Sequence, residues 1–235
     1  MAGVLRPQPR FAPYLAELLG TFALVFAGPG AAAVDVASGG AVGGVGIGMS
    51  FGLIVMVMIY SVGHISGCHI NPAITIAFLA LRRIEAPRAV AYIAMQLIGA
   101  ALAGFAIIAI VGDEGQAGAT IPRIGGEDAA FVSELILTFF LAFVVFAVAT
   151  DSRAEGAFAA VAIGGYVGFA ATGWGPVANA SMNPARTFGP AIAADVWTSH
   201  WLYWVAPIGG ALIAAAAYEL LREPHTPGVA PEEGT

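Results

Sequence analysis

Six long apolar stretches, separated by short segments that hold most of the charges, constrain this chain more than any other feature. Most of them approach the roughly 20 residues that a helix needs to cross a hydrocarbon core of about 30 Å, although the fifth is short. Only 10% of the residues are charged and 59% are hydrophobic, which is too little charge for a soluble surface. The sequence therefore predicts an all-α membrane protein lying in a lipid bilayer. The stretches are residues 14–34, 41–62, 89–111, 130–150, 157–172 and 201–221.

The cationic residues are all arginines, because lysine is absent, and they mark one side of the membrane. Without lysine there is little from which to build a nucleic-acid surface, so no nucleic-acid partner is expected. Because positively charged loops stay in the cytoplasm, both termini are expected there, in a plasma or inner membrane. With regularly alternating spans, this side holds Arg6, Arg10, Arg82, Arg83, Arg88, Arg153 and Arg222. The other side holds Asp35, Asp113, Glu114, Glu127 and Asp128, with Arg123 as its loop arginine.

The N-terminus admits a second interpretation, in which Arg6 and Arg10 precede the apolar core of a cleavable signal peptide. Glu17 interrupts that apolar run, and the segment belongs to an internal repeat, so a first membrane span is favoured. Cys68 is the single cysteine, which rules out an internal disulfide and a cysteine cluster for a structural metal. No cofactor or metal is expected.

An internal repeat relates two parts of the chain, about residues 14–111 and 130–221. Residues 16–22 read AELLGTF, residues 133–139 read SELILTF, and each half carries one Asn-Pro-Ala. Three spans per half turn the second copy upside down, and inverted repeats of this kind place their functional site near the midplane. Small residues that favour close helix packing in lipid recur at every fourth position. They are Gly40, Gly44, Gly48 and Gly52 in the second span, and Gly156, Ala160, Gly164 and Gly168 in the fifth.

The two Asn-Pro-Ala motifs predict helix starts, because Asn is a favoured N-cap and Pro is favoured at the first helical position. The apolar runs that follow, 74–81 and 185–194, are too short to span and indicate re-entrant half-helices. In an inverted repeat the two positive helix ends meet near the centre, where they repel cations while the Asn amides donate hydrogen bonds to water. The motifs are Asn71, Pro72 and Ala73, and Asn183, Pro184 and Ala185.

Residues 63–75 and 181–190 resemble the two signature loops of the aquaporin (major intrinsic protein) family, which includes the glycerol facilitators. The resemblance extends from about residue 13 to 221 and is to a water channel of bacterial or archaeal type. It implies six transmembrane helices plus two re-entrant half-helices, a pore in every protomer, and a homotetramer. The expected organisation is a cytoplasmic segment (1–13), a channel domain (14–221) and a disordered cytoplasmic tail (222–235).

The resemblance also implies a selectivity filter beside the second motif, formed by Phe51, Ala171, Ala180 and Arg186. Water channels of this family resemble one another in having histidine where this chain has Ala171, and glycerol facilitators have an aromatic residue where it has Ala180. The filter is therefore atypical, and two alanines should make it wider than a water-only filter. A shifted register, with Trp174 near the constriction, is the alternative to Trp174 as an interfacial aromatic.

The other family markers conflict, so two solute classes stay open. Thr187 replaces the Asp of glycerol facilitators, and Tyr203 with Trp204 resembles water channels. Water is expected as the main permeant, with passive passage that excludes protons and ions. The alternative is a facilitator of glycerol, urea, ammonia or metalloid hydroxides.

Glu17 and Glu134 are carboxylates within predicted membrane spans, and their role has two interpretations. Intramembrane acids can relay protons, but their symmetric placement and the resemblance favour acceptors for the backbone of the re-entrant loops. His69 should line the cytoplasmic half of the pore. Cys68 is expected to line the pore too, its alternative being a small buried residue.

Two function classes compete with a channel. A secondary transporter shares inverted repeats and broken helices, although its coupling would need a substrate-facing acid. A structural junction protein would keep the fold without conducting. An enzyme is not expected, because no nucleophile, base and orienting group can be assembled from these residues.

Overall fold

The computed structural model describes residues 9–151, 154 and 156–222, and within them six helices are long and apolar enough to cross a membrane. They are α1 (Ala12–Ala37), α2 (Gly43–Ser66), α4 (Ala86–Val111), α5 (Gly126–Thr150), α6 (Ala159–Ala178) and α8 (Leu202–Leu221). Two shorter helices, α3 (Pro72–Ala80) and α7 (Pro184–Ala194), follow the two motifs. The predicted all-α fold with two half-helices is confirmed. The expected tail, except Arg222, and residues 1–8 of the N-terminal segment lie outside the described residues.

The fifth span is longer than the sequence predicts. The apolar run ends at Thr172, whereas α6 continues through Pro176 to Ala178 and ends at Asn179 in the left-handed conformation. Glycine, tryptophan and proline between Thr172 and Ala178 lower the apolar and helical signal, although the helix continues through them. Trp174 lies on an exposed face of α6, with 46% of its surface accessible, and it does not line the central cavity.

The two halves pack as an interlocked pair. In the first half α1 contacts α2 and α4, and in the second half α5 contacts α6 and α8 in the same way. The half-helices cross between the halves, because α3 contacts α8 and α7 contacts α4. This exchange holds the two motif loops against each other at the centre of the molecule.

The crossing of α2 and α6 depends on two of the predicted small residues. A Cβ atom at Gly52 would lie 2.6 Å from the Gly164 carbonyl oxygen, and a Cβ atom at Gly164 would lie 2.6 Å from that of Gly52. Real side chains do not approach so closely, so only glycine permits this contact. The glycine stripe therefore sets the distance between the two spans.

Candidate functional site

Asn71 and Asn183 cap the two half-helices as the sequence predicts. The Asn71 Oδ1 atom accepts a hydrogen bond from the Ala73 N–H at 2.9 Å. The Asn183 Oδ1 atom accepts from the Ala185 N–H at 3.0 Å and from the Arg186 N–H at 3.3 Å. Both asparagines have extended backbone, and a proline follows each at the first helical position.

Each capping asparagine also binds the opposite motif loop, a contact that the sequence does not predict. The Asn71 Nδ2 atom donates to the Met182 carbonyl at 2.8 Å, and the Asn183 Nδ2 atom donates to the Ile70 carbonyl at 2.8 Å. Each amide uses one of its two N–H groups in this way, which leaves the second for another acceptor. The reciprocal bonds fix the positive ends of α3 and α7 side by side.

The loop before each motif has an unusual backbone. Cys68 and Ile70 have positive φ angles of 50° and 42°, and Ala180 and Met182 have 43° and 52°. Non-glycine residues rarely adopt this left-handed region, so the loops store strain that their surroundings must hold. The identical alternation in both loops shows that the repeat extends to backbone conformation.

The first loop is held by Glu17, which is fully buried. Its carboxylate accepts hydrogen bonds from the His69 N–H at 2.9 Å and the Ile70 N–H at 2.7 Å. It also accepts from the Ser66 hydroxyl at 2.6 Å and the Gln96 amide at 2.7 Å. Ser66 and Gln96 are part of this site although neither was a sequence candidate, because only the fold brings α2 and α4 to α1.

The second loop is held by Glu134, which is also fully buried. Its carboxylate accepts from the Ser181 N–H at 2.6 Å and from the Met182 N–H at 2.7 Å. Each glutamate thus binds two consecutive backbone N–H groups of one re-entrant loop. These groups have no regular secondary-structure partner, so the carboxylates satisfy donors that would otherwise be unpaired inside a membrane.

A cavity of about 120 Å³ lies against both motif loops and contains most of the predicted site residues. The rest of its wall is largely apolar and includes Leu24, Val55, Leu141, Val145 and Ile163. A mostly apolar wall with a few polar groups suits a small neutral molecule that must move on rather than bind tightly. The predicted residues on its wall are Phe51, Cys68, His69, Asn71, Ala180, Asn183 and Arg186.

Ala171 is the filter candidate that does not line this cavity. It is 8% exposed and belongs to the same apolar cluster as Phe51 and Ala180. Val167, one helical turn earlier in α6, does line the cavity. Ala171 therefore belongs to the apolar cluster that includes cavity-lining residues, without lining the cavity itself.

Arg186 is 2% exposed, although it carries a charge. Its Nη1 atom donates to the Gly118 carbonyl at 3.2 Å, and its Cζ atom lies 5.0 Å from the centre of the Phe51 ring. Gly118 has φ of 71° and presses against the Pro29 backbone, so glycine is required there. The sequence does not predict a role for residues 116–118 in this site, because the group that binds Arg186 is a backbone carbonyl, which every residue carries.

Two further candidates have defined neighbours. The His69 Nδ1 atom lies 3.2 Å from the Thr75 hydroxyl, and its ring centre lies 4.7 Å from that of Phe78. Thr187 is buried and hydrogen-bonded to the hydroxyls of Thr120 at 3.0 Å and Ser181 at 2.6 Å. Thr187 therefore joins the segment that contains Thr120 to the second motif loop and does not line the cavity.

The sequence is similar to those of known proteins. The sequence profile of the major intrinsic protein (MIP) family matches residues 7–218. Aquaporin NIP1-3 of Oryza sativa subsp. japonica is 46% identical over 88% of this chain and 73% of its own length. Nodulin-26 of Glycine max is 42% identical over 91% of this chain and 79% of its own length.

A solved structure has the same fold. The aquaglyceroporin from Plasmodium falciparum superposes with a TM-score of 0.78 at 24% identity, covering 88% of this chain and 95% of that one. The two sequence relatives, from Oryza sativa subsp. japonica and Glycine max, are plant proteins and give no support to the expected bacterial or archaeal type or to the expected atypical filter. The matched profile and these identities over most of the chain show that it belongs to the major intrinsic protein family, the aquaporin family of membrane channels.

Proposed function

We propose that the chain is a passive channel for water and other small neutral solutes that excludes protons and ions. The observation that carries this proposal is the meeting of the two half-helix starts at a cavity, where Asn71 and Asn183 bond reciprocally to the opposite loops. The remaining N–H of each amide is available to a passing water oxygen. A water molecule that accepts both bonds is oriented so that it interrupts a proton-conducting chain.

Ion exclusion follows from the charges at the same place. The N-termini of α3 and α7 each contribute about half a positive elementary charge, and both act on the same cavity. Arg186 adds a full positive charge on the cavity wall. A cation would meet these three positive sources with little compensating charge from the largely apolar wall, so its entry is unfavourable.

Phe51, Ala180 and Arg186 form the filter, with Ala171 behind the cavity wall. The filter lacks a second bulky or polar narrowing side chain, which favours a broad range of small neutral solutes. Water is proposed as the main permeant. The alternative is a facilitator of glycerol, urea, ammonia or metalloid hydroxides, and similarity to an aquaglyceroporin fold is compatible with it.

Glu17 and Glu134 are proposed as loop acceptors rather than proton carriers. Both carboxylates are directed at backbone N–H groups, and neither lines the cavity. A coupled transporter needs an acid in contact with its substrate path. The chain offers no such acid among the described lining residues, which favours a passive channel.

The proposed setting is a plasma or inner membrane with both termini in the cytoplasm and four copies in a homotetramer. The arginine bias across the loops supports this orientation. His69 is proposed to line the cytoplasmic half of the pore. Its ring contacts with Tyr92, whose hydroxyl accepts a hydrogen bond from Arg88, support this proposal. Cys68 is proposed to face the same half.

Stopped-flow light scattering on proteoliposomes, with water, glycerol and urea gradients on one preparation, tests the function. Water flux should exceed that of empty liposomes, and it should persist when the proton gradient is collapsed. A glycerol rate that dominates over water would favour the facilitator. Uptake that depends on the proton gradient would support a transporter, and no flux above empty liposomes would support a structural protein.

A further inference from the structure

The two glutamates that hold the re-entrant loops occupy equivalent positions, but their surroundings differ. A Cβ atom at Gly99 of α4 would overlap the Leu18 carbonyl, and one at Gly210 of α8 would overlap the Leu135 carbonyl. Leu18 follows Glu17 and Leu135 follows Glu134, so α4 and α8 approach α1 and α5 at the same point. Gly99 and Gly210 are therefore equivalent positions, and counting from them matches each residue of α4 with its counterpart in α8.

The alignment shows that two hydrogen-bond donors of the first half have no counterpart in the second. Counting back three residues from Gly99 and Gly210 gives Gln96 and Pro207. Counting back five residues from Asn71 and Asn183 gives Ser66 and Ala178. Gln96 and Ser66 both donate to Glu17, whereas proline and alanine side chains cannot donate at all.

Glu134 is consequently less fully bonded than Glu17. Each Glu17 oxygen accepts two hydrogen bonds, and each Glu134 oxygen accepts one among the described residues. Both carboxylates are fully buried, so bulk water does not supply the difference. Buried carboxylate oxygens normally have their acceptor sites filled, so Glu134 has room for a further donor.

Two buried polar atoms, one on Tyr203 and one on Arg186, have no hydrogen-bond partner among the described residues. Counting back seven residues from Gly99 and Gly210 aligns Tyr92 with Tyr203. The Tyr92 hydroxyl donates to the Ser66 carbonyl at 3.0 Å, but the fully buried Tyr203 hydroxyl has no partner within the described chain. The Arg186 Nε atom is likewise buried and without a hydrogen-bond partner among the described residues.

Glu134, Arg186 and Tyr203 interact electrostatically with one another. Tyr203 lies within electrostatic range of both Glu134 and Arg186, and Glu134 lies within range of Arg186. The three groups supply two acceptor sites on the carboxylate, a hydroxyl and one N–H donor. A buried water needs two to four polar partners, which this set provides.

We infer that Glu134, Tyr203 and the Nε atom of Arg186 bind one resident water molecule behind the pore wall. The water accepts a hydrogen bond from the Arg186 Nε–H group and donates one to a Glu134 carboxylate oxygen. Its third hydrogen bond is to the Tyr203 hydroxyl, which can act as donor or acceptor. The Arg186 guanidinium is then held at two points, by this water at Nε and by the Gly118 carbonyl at Nη1. Tyr203 acts through the water as a positioning residue for the filter arginine, a consequence that rests on the proposed channel function.

High-resolution structures of the parent, Tyr203→Phe and Tyr92→Phe test the water site. Tyr92→Phe is the matched control, because it removes the equivalent hydroxyl of the other half. We expect a water peak within hydrogen-bond distance of Tyr203 Oη and Arg186 Nε in the parent, retained in Tyr92→Phe and lost or displaced in Tyr203→Phe. A parent map with no peak, with these atoms bonded directly to protein, or with a peak unmoved in Tyr203→Phe overturns the site. The parent map alone decides if Tyr203→Phe fails to fold.

The positioning role has its own measurement. In Tyr203→Phe the glycerol-to-water permeability ratio should change by about two- to tenfold, the range expected for one hydrogen bond, and Tyr92→Phe should change it less. An unchanged ratio in folded Tyr203→Phe overturns the positioning role. Absence of any flux in the parent would instead contradict the proposed function, while the map still tests the water site.

Discussion

Cys68 stands at the same place in the first loop as Ala180 in the second, three residues before the capping asparagine. Both have positive φ, both are buried, and both line the cavity. A mercury ion is soft and binds thiols, and its adduct on the wall of a narrow path would obstruct it.

We therefore expect mercury to reduce water flux in proteoliposomes, excess thiol to restore it, and Cys68→Ser to be insensitive. Full flux with Cys68 labelling proven by mass spectrometry would show that the side chain points away from the path.

Arg186 is charged and almost fully buried. Because burying a charge inside a membrane protein is energetically costly, such a residue indicates a function. Replacement by valine removes the charge and widens the cavity beside Phe51. Water flux in Arg186→Val should stay equal or rise, and proton leak should rise about tenfold or more, which corresponds to a barrier lowered by about 1.4 kcal/mol or more.

Proton leak is measured with a pH-sensitive dye inside the liposomes. Arg186→Lys is the control, because it keeps the positive charge while losing the guanidinium geometry. A leak in Arg186→Val that equals that of the parent would remove Arg186 from the ion barrier.

Ala171 tests the width of the filter. Because it lies one turn beyond Val167 on α6, a histidine at this position should extend into the cavity and narrow it. Ala171→His should reduce glycerol and urea flux about tenfold more than water flux, because narrowing discriminates by solute size. Equal proportional losses for all solutes would place the narrowest point elsewhere.

At the scale of helices, the contact between α2 and α6 makes a prediction about stability. Any side chain at Gly52 would collide with the Gly164 carbonyl and with the Gly168 backbone. Gly52→Val should lower the free energy of unfolding by about 1–3 kcal/mol or more, because overpacking forces the backbone and side chains apart. It should also lower the thermal unfolding temperature in detergent.

Gly165→Ala is the control, since a Cβ atom at Gly165 would have no neighbouring atom within 4 Å. Fluorescence-detected size-exclusion after heating measures both variants. Similar losses in the two would mean that the close crossing does not contribute to stability.

The helices themselves were predictable to different degrees. Long apolar runs predicted α1, α2, α4, α5 and α8, and Asn-Pro predicted the starts of α3 and α7, because these signals are local. The end of α6 was predicted about six residues early, because glycine, tryptophan and proline interrupt the apolar pattern without interrupting the helix. Local composition cannot show that the chain remains helical when neighbouring spans and the membrane favour it.

At the scale of the whole molecule, the inverted repeat predicts that the two motifs meet, and the resemblance to the aquaporin family adds the filter candidates. The symmetry of the repeat, together with that resemblance, favours Glu17 and Glu134 as hydrogen-bond acceptors for the loop backbones. The sequence did not show every contributing group. It did not reveal Ser66, Gln96 or the Gly118 carbonyl, since their contributions depend on how α2, α4 and the segment 116–118 are placed against other helices. The reciprocal asparagine bonds likewise require the two loops to be in register, which only the folded chain defines.

Residues of both halves of one chain line the cavity. In the proposed homotetramer each protomer should therefore conduct independently. Parent and Cys68→Ser chains, mixed equally before assembly, should retain about half of their water flux under saturating mercury, since only the Cys68 protomers are obstructed. A path shared between four protomers would instead retain about a sixteenth, because only tetramers composed entirely of Cys68→Ser chains would stay open. Stopped-flow measurements on the same mixtures before and after mercury distinguish these two results, with unmixed parent and unmixed Cys68→Ser channels as the limits.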